Sequence, residues 1–380
     1  MNEKNANDKN ENDRGPSESP LAFLRFRAEK RIDVAPWVKA AVTLLSVLSA
    51  LAAGGVFLYL QGVSPLTAYR VILTSAFGSG YDLSETMVKA LPLAMVSLAV
   101  MLCFTMLIWN IGAEGQAFMG ALAAAAVVRY FPVENRIAML SMMALAAAAA
   151  GGFWAGIAGV LKARWNVNEI ISTLMLNYIA IRLLEYFVYG PWRDPSSLGF
   201  PMTRPFVESA RLPSLWGTRI HMGIYAIAVL TAIMWVVLGK ARWGYEIRVM
   251  GDNSRAGRYA GMNYAGSVVL VMFFSGAIAG VAGMCEVSGL QGRLQAGFSA
   301  QYGYTAIIVA WLSHLNPLFS LLVAFLMGAL LVGGEALQIG MGLPLASAMI
   351  LQGLILFFVL GGEFFQNYRV RLSFGPKDSG

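Results

Sequence analysis

Two short polar segments interrupt long apolar stretches of the sequence. Residues 110–116 read Asn-Ile-Gly-Ala-Glu-Gly-Gln, and residues 166–178 read Asn-Val-Asn-Glu-Ile-Ile-Ser-Thr-Leu-Met-Leu-Asn-Tyr. Polar side chains are energetically costly at membrane depth, so residues in that position more often serve a function than residues on a soluble surface. The chemistry that amides, hydroxyls and two carboxyls offer is hydrogen bonding to a polar solute.

The first segment has the composition of an interrupted helix. Its glycines free backbone N–H and C=O groups, which persist at membrane depth only where they line a cavity or meet other protein. A helix that begins there presents N–H donors to a polar solute. We therefore predict that Asn110, Glu114 and Gln116 line a polar cavity, with Trp109 as a stacking surface. The alternative is that Glu114 caps the start of its own helix, with Gln116 helping.

The second segment places its polar residues at helical spacing. Ser172, Thr173 and Asn177 fall with Glu169 on roughly one face of a helix, because residues three and four apart are neighbours. That face is predicted to look into the helix bundle. Asn177 is the deepest of the four and is expected to meet the solute or a neighbouring helix, while Tyr178 offers a second stacking surface. The alternative for Glu169 is a helix cap near the membrane interface.

Motifs of ATP binding and catalysis are absent from the sequence. No G-x-x-x-x-G-K-[ST] phosphate-binding loop occurs, since the Gly-Lys pair is followed by alanine. No H-E-x-x-H or G-x-S-x-G occurs, and His221 and His314 are isolated. Cys103 and Cys285 form no C-x-x-C pair. We therefore expect no enzyme activity, no metal site and no cofactor.

Composition assigns the chain to the multi-pass membrane proteins. Its 380 residues are 57% hydrophobic and only 13% charged, whereas soluble domains carry about 25% charged residues. Because a crossing helix needs about 20 apolar residues, we predict an all-α protein with about ten transmembrane helices, some of them broken or re-entrant. The predicted spans are residues 40–60, 91–108, 112–128, 137–161, 170–189, 222–238, 266–284, 304–313, 318–337 and 343–360.

The basic residues set the orientation of these spans. The net charge is +7, and most lysines and arginines fall in segments that face the cytoplasm if the N-terminus is cytoplasmic. Both termini are then cytoplasmic, and residues 64–85 and 190–220 lie outside. The proline-rich loop 190–220 is predicted to be a docking surface or a lid. Residues 304–313 are too few to cross, which predicts a half-helix or a re-entrant segment.

The two ends differ from the membrane region, which spans residues 40–360. Residues 1–20 are rich in Asn, Asp, Glu, Lys and Ser, which predicts a disordered cytoplasmic tail. Residues 21–39 are basic and partly amphipathic, which is typical of a helix lying on an anionic leaflet or of a plain positively charged anchor. Residues 361–380 are expected to form a second cytoplasmic tail.

A third motif, taken with the two polar segments, resembles a known family. Residues 251–262 read Gly-Asp-Asn-Ser-Arg-Ala-Gly-Arg-Tyr-Ala-Gly-Met and are similar to the coupling loop of ABC importer permeases for ribose, nucleosides and branched-chain amino acids. Ser254 stands where that loop usually has Pro, and Gly257 where it usually has Ala, so this loop is less rigid than expected. From residue 40 to 360 the chain most resembles the larger permease of purine-nucleoside systems with a basic-membrane-lipoprotein type binding protein.

The resemblance implies that the cytoplasmic loop 240–265 couples the chain to an ATPase. Its arginines, with small residues between them, suit short helices that dock in a partner's groove. An ordinary positively charged inner loop would explain the charge but not a length of about 25 residues or the Gly and Asn punctuation. The residues implied to make the contact are Gly251, Asn253, Arg255, Ala256, Arg258, Tyr259 and Gly261.

The function implied by the resemblance is that of a permease subunit of an ABC importer in the cytoplasmic (inner) membrane, forming the pathway for a nucleoside or simple sugar. The implied partners are two cytoplasmic ABC ATPase subunits, a second permease subunit or a copy of this chain, an extracytoplasmic solute-binding protein, membrane lipid and the small-molecule substrate, but no nucleic acid. The alternative is an ion-coupled secondary transporter. That class needs a titratable or Na⁺-coordinating site at the midplane, where the predicted spans offer few carboxylates.

Overall fold

Most of the chain is helical. The computed structural model describes residues 24–30, 36–344 and 346–374, so the predicted tail at 1–20 lies outside the described residues. The described strands are β1 (Leu24–Lys30) and β2 (Tyr368–Phe374). The described helices are α1 (Pro36–Leu60), α2 (Pro65–Phe77), α3 (Gly80–Thr105), α4 (Ala113–Tyr130), α5 (Arg136–Trp165), α6 (Glu169–Tyr189), α7 (Gly223–Lys240), α8 (Arg242–Asp252), α9 (Ser254–Tyr259), α10 (Tyr264–Cys285), α11 (Tyr302–Leu312), α12 (Pro317–Met341) and α13 (Ala346–Asn367).

Every predicted span coincides with a helix, but fewer helices have the length and composition of a full crossing. Within the described residues these are α3, α5, α6, α7, α12 and α10 with the π-helical segment Glu286–Gln291 that extends it. Helices α1 and α2 meet the criterion together but are bent by 113°. Helix α11 and the part of α13 from Ala346 to Gly362 are apolar but shorter. The chain is thus a multi-pass helical membrane protein with six or seven full-length spans, and the predicted count of about ten is not confirmed.

Residues 64–85, predicted to be an outer connection, are largely helical. Pro65 occupies the first turn of α2, where its missing N–H removes no helical hydrogen bond. Helix α3 begins at Gly80 because the Ser79 hydroxyl accepts a hydrogen bond from the Asp82 N–H at 3.1 Å. The predicted span 91–108 therefore begins later than α3 itself, because the polar first turns of α3 lack the apolar run by which a membrane helix is recognised. Whether residues 64–85 lie outside the membrane stays a prediction.

The core is built around α3 and α10. Side chains of α3 are buried almost without interruption from Ala90 to Phe104. Helix α10 presents Gly276, Gly280 and Gly283 to α5 and α4, whose backbones approach so closely that a side chain would overlap them. Close backbone approach at small residues is how helices associate where lipid removes most of the hydrophobic driving force.

The chain divides into two compact units. The larger is Ala50–Leu356, and the smaller combines Met1–Ser49 with Phe357–Gly380. The larger unit contains all the residues predicted to meet the solute or the ATPase. The site described below therefore belongs to one compact body.

The smaller unit contains the one described sheet, a ribbon of two antiparallel strands. Leu24 pairs with Phe374, and Lys30 pairs with Tyr368. The expected surface helix within residues 21–39 is therefore wrong over β1, whereas the membrane region is helical, as predicted. Apolar and charged residues alternate singly from Leu24 to Glu29, and a period of two favours a strand over a helix. The expected tail 361–380 likewise contains the end of α13 and β2.

Candidate functional site

The helix is interrupted at the first polar segment, as predicted. Helix α3 ends at Thr105 and α4 begins at Ala113. Leu107, between them, holds a positive φ of 55°. A non-glycine residue is strained in this left-handed region, so the surrounding structure must hold the break in place.

Reciprocal amide hydrogen bonds hold the break. Asn110 Nδ2 donates to Gln116 Oε1 at 3.1 Å, and Gln116 Nε2 donates back to Asn110 Oδ1 at 2.8 Å. Asn110 Nδ2 also donates to Ser275 Oγ at 2.9 Å, and the Ser275 hydroxyl donates to Ala99 O at 2.7 Å. Because these side chains are buried, the network fixes the break to α3 and α10.

Asn177 of α6 joins three elements. Its Oδ1 accepts a hydrogen bond from the Gly115 N–H, in the first turn of α4, at 2.8 Å. Its Nδ2 donates to Ile111 O at 2.8 Å and to the Tyr304 hydroxyl of α11 at 3.3 Å. Both polar atoms of this buried side chain are therefore satisfied, and Asn177 positions the starts of α4 and α11 against α6.

Glu114 bridges the first turns of α4 and α11. Its Oε2 accepts a hydrogen bond from the Gly303 N–H at 2.6 Å, and the Gly303 backbone packs directly on the backbone of Glu114. A carboxylate at a helix N-terminus is stabilised by the helix dipole. Glu114 thus caps α11. The sequence-based alternative, in which Glu114 caps its own helix α4, had the wrong helix.

The second polar segment begins α6. Asn168 is its cap, since Asn168 Oδ1 accepts a hydrogen bond from the Ile170 N–H at 2.9 Å. Glu169 is therefore not the cap, and its Oε2 lies 2.9 Å from Lys162 Nζ. The Thr173 hydroxyl donates to Glu169 O at 2.6 Å. These contacts tie the start of α6 to the end of α5.

The predicted pathway residues separate into two groups. Five of them are buried, namely Asn110, Glu114, Gln116, Thr173 and Asn177. Trp109 is 38% exposed, Tyr178 is 55% exposed, and Ser172 is partly exposed. In this conformation the buried residues hold the helix starts together, and the side chains of the exposed residues lie at the protein surface next to the break.

Sequence reasoning missed Tyr304. This residue lies in the first turn of α11, is partly exposed, and accepts the Asn177 hydrogen bond described above. The available signal was a tyrosine at the start of a segment too short to cross, because such a half-helix begins at membrane depth.

An aromatic cluster flanks the same break. The rings of Phe104, Trp109 and Trp311 have centroids between 5.1 and 5.9 Å apart. Phe104 lies at the end of α3, and Trp311 lies at the end of α11. The break thus carries both a hydrogen-bonded network and a cluster of tilted aromatic rings.

The predicted coupling segment folds into the two short helices α8 and α9. Asn253 caps α9, because its Oδ1 accepts hydrogen bonds from the N–H groups of Arg255 and Ala256 at 3.1 Å each. Tyr259, the last residue of α9, is 95% exposed. Gly261 has a φ of 79°, which glycine adopts without strain. The coupling segment therefore contains a short, capped helix, α9, that exposes the side chain of Tyr259.

Gly251 connects the coupling segment to the break. It lies near the end of α8, where an added Cβ would be 2.8 Å from Thr105 O and 3.1 Å from backbone atoms of Met106. The Arg258 guanidinium lies over the Tyr264 ring, 5.1 Å from its centroid, which ties α9 to α10. Displacement of α8 and α9 would therefore act directly on the end of α3.

The loop between α6 and α7 is folded against the rest of the larger unit. A β-bridge joins Met202 to Gln295. His221 is buried, its Nδ1 accepts a hydrogen bond from the Gly223 N–H at 3.1 Å, and its ring packs against Gly289. Burial lowers the pKa of His221 to about 4, so the imidazole is neutral at pH 7. Whether this loop is a docking surface or a lid stays a prediction.

Comparison with known proteins assigns the family. The family model described as branched-chain amino acid transport system / permease component matches residues 83–360. The chain belongs to this permease family.

The permease is also similar over most of its length to curated relatives. It is 36% identical over 362 residues to the glucose ABC transporter permease protein TsgB13 of Haloferax volcanii, covering 92% of this chain and 95% of the relative. It is 33% identical over 341 residues to the guanosine ABC transporter permease protein NupP of Bacillus subtilis, covering 88% and 95%. It is 25% identical over 330 residues to the nucleoside ABC transporter permease protein NupB of Lactococcus lactis, covering 84% and 90%.

These similarities confirm the family that the three motifs indicated. The chain is an ABC transporter permease. The alternative of an ion-coupled secondary transporter is therefore rejected.

Proposed function

We propose that this permease carries a nucleoside or a simple sugar through the cytoplasmic membrane as part of an ABC importer. The observation that carries the proposal is the break between α3 and α4, where a buried hydrogen-bonded network leaves Trp109, Tyr178 and Tyr304 at the surface. Exposed aromatic faces provide stacking surfaces for a nucleobase. The relatives named for glucose, guanosine and nucleosides support the same two solute classes.

The pathway residues take two roles in this proposal. Trp109, Ser172, Tyr178 and Tyr304 contact the solute. The buried residues Asn110, Glu114, Gln116, Thr173 and Asn177 hold the starts of α4, α6 and α11 in the arrangement that exposes the contact residues. A polar group at membrane depth that is not buried in protein is expected to face a water-filled path rather than lipid.

The proposed topology places both termini in the cytoplasm and ten helices in the membrane. The ten are α1, α3, α4, α5, α6, α7, α10, α11, α12 and α13. The shorter α4 and α11 meet at their first turns inside the protein, as broken helices do around a solute site. The cytoplasmic side of this topology carries α8 and α9, which agrees with the positive-inside rule.

Helices α8 and α9 are the proposed contact with the ATPase subunits. The contact residues are Gly251, Asn253, Arg255, Ala256, Arg258, Tyr259 and Gly261. The capped, compact form of α9 and the exposure of Tyr259 support this role. On the opposite side the loop 190–220 receives the solute-binding protein, and a second permease subunit or a copy of this chain completes the pathway.

Reconstitution in proteoliposomes tests the proposed function. The purified permease alone is expected to hydrolyse no ATP, because its sequence has no phosphate-binding loop. With the ATPase subunits, the second permease subunit and the solute-binding protein present, ATP should drive the accumulation of guanosine or glucose. ATP hydrolysis by the permease alone, or accumulation without the ATPase subunits, would contradict the proposal.

Replacing Asn177 is expected to impair transport. Asn177→Leu removes the hydrogen bonds to Gly115, Ile111 and Tyr304. Each buried polar group left without a partner costs about 1–3 kcal/mol, so the uptake rate should fall about tenfold or more. The measurement is the initial uptake rate in the reconstituted transporter.

The matched control is Met175→Leu on the same helix, because Met175 is exposed and the change keeps an apolar side chain. It should leave uptake unchanged. Wild-type uptake by Asn177→Leu would remove Asn177 from the proposed pathway. A variant that no longer assembles with its partners would show that Asn177 serves only the fold.

A further inference from the structure

Helix α6 carries an ion pair within its membrane-spanning length. Arg182 Nη1 lies 2.7 Å from Glu185 Oε2, and the Arg182 side chain is 79% exposed. In the proposed topology α6 runs outward, so Arg182 lies about 10 Å before its extracytoplasmic end at Tyr189. An arginine is therefore exposed at membrane depth, and it has no role in the pathway described above.

An exposed charge distinguishes α6 from its neighbours. The membrane-spanning parts of α5, α7 and α10, residues 137–161, 223–239 and 264–285, contain no Asp, Glu, Lys or Arg. Their large exposed side chains are aliphatic or aromatic, which is typical of helices that face lipid. Ionisable residues in membrane helices, by contrast, almost always face the protein interior or a water-filled cavity. The exposed face of α6 at Arg182 is therefore expected to face water or protein rather than lipid.

Arg182 extends the surface that begins at Tyr178 of the proposed pathway. Tyr178, Arg182 and Tyr186 follow one another at intervals of four residues, so their side chains lie along one face of α6. Tyr178 is 55% exposed and Tyr186 is 65% exposed. The opposite face of the helix is buried and includes Ala180 and Leu184. The exposed face thus leads from the break between α3 and α4 toward the extracytoplasmic end of α6.

The ion pair leaves most of the guanidinium available to a solute. A guanidinium has five N–H donors in a planar fork, and Glu185 accepts a hydrogen bond from one nitrogen of Arg182. Such a fork donates two parallel hydrogen bonds to acceptors held side by side, as O6 and N7 of guanine are. The tyrosine rings one turn to either side offer faces on which a planar base stacks. These side chains match a planar base with two adjacent acceptors better than a sugar, whose hydroxyls do not lie in one plane.

We propose that Arg182 binds the nucleobase of a nucleoside in the outer part of the solute path, where Tyr178 and Tyr186 stack on the base and Glu185 orients the guanidinium. This inference rests on the proposed function and narrows the solute to a nucleoside whose base presents two adjacent acceptors, such as a 6-oxopurine. Arg182 is then a specificity-determining contact on the extracytoplasmic side of the break.

The first experiment tests whether Arg182 faces water. The complete transporter carrying Arg182→Cys is placed in lipid nanodiscs, and its labelling by a membrane-impermeant thiosulfonate is followed during ATP hydrolysis. Val229→Cys on α7 is the matched control, because Val229 is 58% exposed and lies about 9 Å from the extracytoplasmic end of its helix. Arg182→Cys should be labelled about tenfold faster or more, since the reagent does not enter hydrocarbon. Wild type gives the background, because Cys103 and Cys285 are buried.

The second experiment tests the contact with the base. Uptake of guanosine is compared with uptake of 7-deazaguanosine, which lacks the N7 acceptor, in proteoliposomes at saturating binding protein. Arg182→Lys keeps the charge but loses the planar fork, so the preference for guanosine should shrink about tenfold, the factor that one hydrogen bond to a charged group supplies. The binding protein is the same throughout, so its own selectivity cancels from the comparison. Arg70→Lys, at an exposed arginine of α2, is the control and should keep the wild-type preference.

Copurification with the ATPase subunits verifies that each variant is assembled, and Tyr186→Cys replaces Arg182→Cys if the latter does not assemble. Labelling no faster than that of Val229→Cys would overturn the proposal, because lipid or the second permease subunit would then cover this face. An unchanged preference in Arg182→Lys would overturn the contact with the base. A transporter that accumulates glucose but not guanosine overturns this inference and leaves the proposed function standing, whereas one that accumulates neither overturns both.

Discussion

Replacing Gly280 by valine is expected to prevent the permease from folding. A Cβ at this position would overlap the Ala147 carbonyl oxygen of α5 and lie 3.2 Å from the Gly151 Cα. Both neighbours are backbone, so neither can turn away. Overpacking of a tight core costs about 1–3 kcal/mol and more where backbone must move. The yield of monodisperse protein after detergent extraction, followed by size-exclusion chromatography, should fall close to zero.

Gly156→Val is the control for Gly280→Val. Gly156 lies on α5, the helix that packs against Gly280, but a Cβ there meets nothing within 4 Å. This variant should be extracted at the wild-type yield. If Gly280→Val were extracted equally well, the close packing of α10 on α5 would be contradicted.

Gly261→Trp is expected to abolish uptake and solute-stimulated ATP hydrolysis while the permease still inserts and assembles in the membrane. Gly261 has a φ of 79°, and a side chain there would point into open space. The indole would therefore occupy the surface proposed to seat the ATPase. The left-handed backbone conformation of a residue that has a Cβ costs a further ~1–2 kcal/mol of folding free energy. Both activities are measured in the same proteoliposomes.

A second variant, Gly261→Asn, separates the effect of side-chain size from the effect of backbone conformation. Asparagine tolerates a positive φ better than other residues, so Gly261→Asn should keep most of the uptake. If Gly261→Trp were as active as wild type, α8 and α9 would not be the coupling element. The short connection between Lys162 and Asn168 would then be the next candidate.

The break between α3 and α4 could be predicted from sequence because its cause is local. Glycine and amide residues in 110–116 are incompatible with a continuous lipid-facing helix. The partners of these residues could not be predicted, since Glu114 meets Gly303 and Asn110 meets Ser275 only after distant helices have packed.

The distinction between local causes and contacts of distant segments also explains which features the sequence did not reveal. Tyr304 becomes a site residue only through its hydrogen bond with Asn177 on another helix. The pairing of β1 with β2 joins the two ends of the chain, although the alternation within β1 was visible in the sequence. Helix α2 was missed for a local reason, because its flanking polar residues resemble those of a loop.

The capping of α11 by Glu114 has a mechanical consequence. Because the Glu114 carboxyl accepts the Gly303 N–H and the two backbones are in contact, rotation of α4 without α11 would break this contact. The strained residues Leu107, before α4, and His314 and Leu315, after α11, all hold a positive φ. If the two helices move together, the backbone has to turn outside them, and these residues lie there; Gly251 packs on Thr105 and Met106, next to the first of them.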